Sequence, residues 1–444
     1  MQKIISFIGS LWSRFRIEII IFCLVFGIRA LYAFFMWLSF GPDIFVAYSD
    51  SGSFILVANN LLDHGIFSQL TEGLLYPDSI RTPGYPFFLA FFMLLKASFS
   101  MIVVVQHILA GMLGVMLYRL GLLFFKSRFV GLFAAIIFAI EPTSIYWNNL
   151  LMSDNLFTFF LFFALYLFFR QRFLWFAFVL GLAILTRPIG LYFLPLFIGM
   201  FILQYKQGLY DSLVVKRSVL PSIFFWKILL MTIMVVVLTM SPWLIRNKLT
   251  FDTWEFSSAG WVNLYLFTAA PYSDKHNIPL QALEMPADYP AQNPVIFSYD
   301  FRNTRFYRDQ IFELFYENPI SYTVFHVTSA IKGLSNTGYR YLIDYVIGVK
   351  LPFISSSILI VLFYMGQIFW AVILVLAFLG FLRKKTFLPH AFLFSIFFVN
   401  TMLLGNSASG QGGRYHLPIE PMVLLLAGNG AWLIIAMIRK YYEK

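Results

Sequence analysis

Six short stretches of this 444-residue chain hold the residue types that could do chemistry, two of them carrying carboxylates and four carrying an arginine. Asp50 lies in Tyr48-Ser-Asp-Ser-Gly-Ser53, ahead of a segment where Ile55, Leu56, Ala58 and Leu62 alternate around a helical turn with Asn59, Asn60 and Asp63. In Arg81-Thr-Pro-Gly-Tyr-Pro86 two prolines and a glycine fix an extended turn that carries Arg81 and Tyr85. The stretch from Glu141 to Asp154 contains Glu141, Asn148, Asn149 and Asp154. Leu185-Thr-Arg-Pro188, Ser241-Pro-Trp-Leu-Ile-Arg-Asn247 and Gly412-Gly-Arg-Tyr-His-Leu-Pro418 supply Arg187, Arg246 and Arg414. A carboxylate removes a proton from a hydroxyl, and a planar guanidinium fork grips a phosphate at two points. Together they suit group transfer from a lipid-linked phosphate. Each feature also has a structural reading: Asp50 and Asp154 as helix caps, Arg81 with Tyr85 as an interfacial pair, the remaining arginines as contacts to helix C-termini.

The elements that must position these groups are membrane helices. Hydrophobic residues make up 60% of the chain and charged residues 12%, which excludes a water-soluble globule. Apolar runs near Ile17–Phe40, Met101–Phe125, Val130–Ile145, Leu150–Phe169, Phe225–Ile245, Ile354–Leu382, Phe387–Leu404 and Pro418–Ile438 approach the roughly 20 residues that span hydrocarbon. Arg187-Pro188 breaks the run Phe173–Leu203 into two short spans. The expectation is an all-α polytopic bundle of about ten transmembrane helices.

Basic residues orient it. Lys3, Arg14, Arg16, Lys126, Arg128, Arg170, Arg172, Lys206, Lys216, Arg217, Lys227, Arg383 to Lys385, Arg439, Lys440 and Lys444 mark a cytoplasmic side that holds both termini. All acids except Glu18, Asp211 and Glu443 then fall in, or at the boundary of, outside segments. Residues 1–444 read as one integral membrane domain, with 41–100 as a first outside loop and 246–350 as a large one, both carrying juxtamembrane helices. Parity between Asp50 outside and Lys126 inside leaves one crossing, so Phe87–Leu95 lies against the membrane or dips and returns. The first span reads as an uncleaved anchor. Arg81, Arg187, Arg246 and Arg414 stand at outside ends of spans, against the positive-inside trend, and point to a shared anion site.

Several chemistries lack their residues. Cys23, the only cysteine, lies in the first apolar run, so no intrachain disulfide or thiolate chemistry is available. His64, His107, His276, His326, His390 and His416 are scattered, and there is no Asp-x-Asp pair, phosphate-binding glycine loop or Gly-x-Ser-x-Gly. No metal and no cofactor are called for. The net charge of +11 fits orientation and headgroup attraction, and no nucleic-acid partner is expected.

In order and topology, Tyr48-Ser-Asp50, Arg81 to Pro86, Pro142 to Asp154, Leu185 to Pro188, Pro242 to Asn247 and Arg414-Tyr415 with Pro418 resemble the GT-C fold glycosyltransferases that use polyprenyl-phosphate sugars, including the protein O-mannosyltransferase and aminoarabinose transferase relatives. The resemblance covers most of the chain and implies a GT-C-like bundle with its active site outside. It implies Asp50 as general base, Asp154 or Glu141 shaping the acceptor side, and Arg81, Arg187, Arg246 and Arg414 holding the donor phosphate. Tyr85, Glu141, Asn149, Asn263 and Tyr415 are the polar residues assigned to the acceptor or the sugar. The donor would be a polyprenyl-phosphate-linked sugar in the plasma membrane, a bacterial inner membrane on this reading, and the acceptor a cell-envelope glycan, glycolipid or protein. Ser51 stands where the protein mannosyltransferases carry a second acid, and the chain ends soon after its last span. Both departures bear on the acceptor. The alternatives are a transporter or flippase, or a polymerase, of lipid-linked glycans. The first of these predicts ionisable residues in mid-span and paired halves.

Overall fold

The computed structural model describes residues 2–47, 49–70, 75–206, 222–289, 293–335, 339, 355–382, 387–404 and 414–443. Tyr48, Asp211, Lys216, Arg217, Arg383 to Lys385, Gly412, Lys444 and residues 341–350 of the large loop lie outside the described residues. Among those described the chain is helical, with no strand, as expected where lipid offers no partner for an unpaired backbone amide. The helices are α1 (Gln2–Phe40), α2 (Ser49–His64), α3 (Gly84–Leu94), α4 (Phe99–Phe125), α5 (Arg128–Ile140), α6 (Pro142–Asn148), α7 (Ser153–Phe169), α8 (Phe173–Thr186) and α9 (Leu194–Lys206). They continue as α10 (Ser222–Phe251), α11 (Ala259–Leu264), α12 (Ala270–His276), α13 (Pro294–Ser298), α14 (Thr304–Glu317), α15 (Pro319–Ser335), α16 (Ser356–Phe381), α17 (Phe387–Leu404) and α18 (Glu420–Tyr442).

Among the described residues six helical segments are long and apolar enough to cross a membrane, and α5 with α6, bent by 59° at Glu141, would make a seventh. The protein is an α-helical, multi-pass membrane protein. The expectation of about ten spans exceeds this because α7, α8 and the stretch Phe392–Thr401 are short. At about 1.5 Å per residue they reach roughly 15 to 26 Å, less than the ~30 Å of a hydrocarbon core. Local signals set the breaks. Lys126 ends α4 in the left-handed region, and Ser127 then caps α5 through Val130 N. Arg187 takes an extended conformation ahead of Pro188, which ends α8. Pro242 does not end α10, so Arg246 sits inside a helix rather than at the start of a loop.

In lipid, helices gain little from hiding apolar surface from one another, and close packing decides their association. Around Phe168 the rings of Phe173, Phe176, Phe197, Phe201 and Phe392 interlock at centroid separations of 5.0 to 6.4 Å. Elsewhere small residues bring backbones together. Gly121 packs on Gly131 between α4 and α5, and Gly380 of α16 packs on the Leu426 carbonyl and Gly430 of α18. Ionisable side chains are buried in the bundle as well. Arg29 of α1 donates to Ser144 Oγ (2.8 Å) and Phe138 O (3.1 Å), tying the first helix to the bend between α5 and α6.

The segments after α2 and after α10 are joined to each other. Ser79 Oγ donates to Tyr299 O (2.6 Å), Ser257 Oγ to Ile80 O (2.8 Å), and Ser258 N to Ser79 O (3.1 Å). The buried Asp300 carboxylate accepts from Tyr76, Tyr289 and Arg302 (2.9, 3.0 and 2.7 Å). These bonds make one layer of two segments distant in sequence.

A methyl group at Gly380 would run into the Leu426 carbonyl, which cannot rotate away, whereas one at Gly199 meets nothing within 4 Å. Gly380→Ala should lower stability by about 1–3 kcal/mol through overpacking. Gly199→Ala should leave it unchanged or slightly raised. Unfolding of the detergent-solubilised protein by heat or denaturant measures both.

Candidate functional site

Five ionised side chains from five separate elements meet in one alternating row. Asp50 lies in the first turn of α2 and Asp154 in the first turn of α7, where a helix N-terminus favours a carboxylate. Arg81 lies in the turn before α3, Arg187 directly after α8, and Arg414 in a short 3-10 turn (Arg414–His416) before α18. Arg81 Nη2 donates to Asp50 Oδ1 (2.7 Å), and Arg414 Nη1 to Asp50 Oδ2 (2.5 Å). Arg414 Nε reaches Asp154 Oδ2 (3.0 Å), and Arg187 Nη1 pairs with Asp154 Oδ1. Asp154 is not a cap. The residue before its helix, Met152, makes no side-chain cap, and the Asp154 carboxylate, 1% exposed, is given wholly to guanidiniums.

Three cations face two anions in this row. Burial alone would raise the Asp50 carboxyl, but Arg81 and Arg414 outweigh it and hold the group well below the usual carboxylate range. Asp50 is therefore ionised in the resting protein.

A second layer of contacts sets the row. Asp78, fully buried, accepts from Ile80 N (2.9 Å) and Arg81 N (3.0 Å), shaping the backbone that presents Arg81, and also from Gln69 Nε2 (2.9 Å). The Arg81 guanidinium lies 4.5 Å over the Phe54 ring. Thr82 Oγ1 donates to Thr186 O (3.0 Å), so the Arg81 turn docks on the end of α8 that carries Arg187. Gly84 permits this approach, since a Cβ there would come within 2.8 Å of the Leu185 carbonyl.

The row borders a cavity of about 270 Å³, lined in addition by Gln69, Thr82, Ser153, Thr186, Asn263 and Tyr299 and by apolar Phe54, Phe267 and Val295. Of the residues singled out in the sequence, Asp50, Arg81, Arg187, Arg414 and Asn263 line it, and Asp154 is joined to it through two arginines. Four others are elsewhere. Arg246 donates to Asp78 O (2.9 Å) and is enclosed by Trp243, Phe251 and Phe67 at 4.7 to 5.5 Å, so it supports the Arg81 loop from behind. Tyr85 is fully buried and donates to Gln106 Oε1 (2.9 Å). Glu141 caps α6 by accepting from Ser144 N (2.5 Å) and also accepts from Tyr339 (3.0 Å) inside the bundle. Asn149 is buried against Ile145 O (2.7 Å) and His107 (3.1 Å). The placement of these four in mid-protein follows from helices folding their motifs inward, which spacing along the chain does not reveal. The Tyr415 side chain lies outside the described residues.

Gln69 and Tyr299 also line this cavity, and Asp78 lies behind it. Thr82 and Thr186 had a signal, each being the neighbour of an arginine in a proline-bearing motif. Gln69, Tyr299 and Asp78 had none.

No protein-family model matches the chain, and no curated protein matches it significantly.

Removing one member of a buried ion network leaves its partners uncompensated, at a cost of about 3–5 kcal/mol. Asp154→Asn should destabilise the protein by that order, because Arg187 and Arg414 lose the carboxylate that they share. Denaturant unfolding in detergent checks this. Little change would mean that the row is not a unit.

Proposed function

We propose that the protein is a membrane glycosyltransferase that moves a sugar from a polyprenyl-phosphate donor to an acceptor hydroxyl, with inversion, at the outer face of the membrane. The observation that carries this reading is the cationic row beside a cavity, Arg81–Asp50–Arg414–Asp154–Arg187, in which a carboxylate and an excess of guanidiniums share one wall. A hydroxyl, a sugar and a phosphate need those two kinds of group within one molecule's length. Arg81 Nε is a further buried donor without a hydrogen-bond partner among the described residues. On this reading the chain forms a GT-C-like bundle of about ten spans with juxtamembrane helices, in a bacterial inner membrane with both termini cytoplasmic. The acceptor is a cell-envelope glycan, glycolipid or protein.

The reaction is a single displacement. The acceptor oxygen forms a bond to the anomeric carbon while the bond from that carbon to the phosphate oxygen breaks. The hydroxyl proton passes to Asp50, and the electron pair of the broken bond leaves with the lipid phosphate. Its developing charge is met by guanidiniums already in place. In the resting protein both Asp50 oxygens accept from arginine, which makes the carboxylate a weak base. A phosphate that draws Arg81 and Arg414 toward itself weakens those bonds, and the basicity of Asp50 rises as the donor binds.

General-base catalysis contributes roughly 10²- to 10⁴-fold. Asp50→Asn should therefore lower kcat by about that factor while donor binding persists, measured as sugar transfer from polyprenyl-phosphate sugars to envelope acceptors by the purified protein. Unchanged turnover would remove Asp50 from the mechanism.

The pH dependence has a definite sign. The folded-state pKa of Asp50 is depressed, so its ionised form and the stability it confers persist as pH falls past the ordinary carboxylate value of about 3.9, and are lost only lower. Arg81→Gln removes one of the two cations responsible. The acid limb of kcat/KM should then move upward toward the ordinary range, read from rate profiles of wild type and variant at matched ionic strength.

A further inference from the structure

We propose that Asp78 is a positioning residue of the transfer site: one buried carboxylate holds the backbone of Arg81 and the side chain of Gln69, and so sets where the Arg81 guanidinium meets the donor phosphate. The proposal rests on the glycosyltransferase reading and adds a residue to that same site.

Asp78 is 1% exposed and lies behind the cavity wall that Gln69 and Arg81 form in part. Its Oδ1 accepts from Ile80 N (2.9 Å) and Gln69 Nε2 (2.9 Å), and its Oδ2 accepts from Arg81 N (3.0 Å). An aspartate that accepts from the amides two and three residues onward folds the backbone into a local turn. Here the turn ends on Arg81. Three N–H donors thus converge on two oxygens, which an aspartate supplies. An asparagine offers one oxygen, and its amide nitrogen would face either Arg81 N or the Ile80 and Gln69 donors.

The backbone of Asp78 is held as well. Its N–H donates to Phe67 O (2.7 Å), and its carbonyl accepts from Arg246 Nη1 (2.9 Å). Asn60 of α2 donates through Nδ2 to Ser68 O (2.8 Å) and Leu70 O (2.7 Å), fixing the backbone on both sides of Gln69. The same helix carries Asp50 in its first turn, and Asp50 accepts from Arg81. A closed ring of contacts therefore runs from α2 through Asn60, the Gln69 segment and Asp78 to Arg81, and back through Asp50 to α2. Asp78 is the link in this ring that fixes the Arg81 backbone. The guanidinium can then turn from Asp50 toward a phosphate by side-chain rotation alone, and little reorganisation is needed as the donor binds.

The test measures affinity for polyprenyl monophosphate, the lipid product of transfer, in the full chain reconstituted in lipid nanodiscs. Wild type, Asp78→Asn, Arg81→Gln and the double variant form one cycle. Asp78→Asn should weaken binding roughly tenfold, the effect of opposing a buried N–H with a second donor. In the Arg81→Gln background the same change should weaken it by less than about twofold, because the guanidinium through which Asp78 acts is gone. Gly380→Ala, destabilising at a distance, should bind as wild type does, which separates position from stability. Where Asp78→Asn fails to fold, Arg246→Gln takes its place in the cycle, since it removes the donor to the Asp78 carbonyl. Unchanged affinity, or equal losses with and without Arg81, overturns the positioning role and leaves the transferase reading intact. If wild type does not bind polyprenyl monophosphate, the transferase reading itself fails, and this inference with it.

Discussion

The structure depends on Arg414 holding two carboxylates from different helices at once. Its Nε reaches Asp154 at the start of α7, and its Nη1 reaches Asp50 at the start of α2. A lysine would offer a single nitrogen on a flexible stem in place of two donors fixed in one plane. Burial makes the arrangement demanding, because each ion removed from water must find its compensation within the row. The two outer arginines supply it: Arg81 for Asp50 and Arg187 for Asp154. Four segments separated along the chain by bundle helices are thereby brought to α18.

Geometry elsewhere serves this row. The close approach at Gly84 and the Thr82–Thr186 bond put the Arg81 turn against the end of α8, so two of the three arginines are presented from joined backbone. Asp78 shapes the turn from beneath, and Arg246, wrapped in three aromatic rings, holds the Asp78 carbonyl. The bonds from Ser79 and Ile80 to Ser257, Ser258 and Tyr299 bring the segment after α10 over the cavity, which is how Asn263 and Tyr299 come to line it. Beneath, the bundle is packed by interlocked phenylalanines and by glycine contacts rather than by a hydrophobic drive between helices. A rigid platform below and a hydrogen-bonded layer above let charged residues be held at fixed distances, which catalysis by preorganised charge requires.

The composition and apolar runs determine that this is a helical membrane protein, because no other backbone arrangement satisfies such a sequence in lipid without closing a barrel. The helix break at Arg187-Pro188 and the start of α2 near Asp50 follow from proline geometry and apolar spacing, both local effects. The grouping of Asp50, Arg81, Asp154, Arg187 and Arg414 was legible as five ionised residues at the ends of apolar runs. Which of them touch was not, since an ion pair depends on where helices far apart in sequence come to rest. The same limit explains Tyr85, Glu141, Asn149 and Arg246. Their types and neighbours match those of the cavity residues, but tertiary packing turned them to bonds with Gln106, Tyr339, His107 and Asp78. Gln69 and Asp78 acquire meaning only through each other and the Arg81 turn, contacts that no periodicity encodes. The sequence by itself thus determined the solvent this chain folds in and the residue types available for chemistry, because hydropathy and backbone restriction act over a few neighbouring residues. Only the tertiary structure decided which carboxylate meets which arginine, because those distances are set by helix packing across the whole bundle.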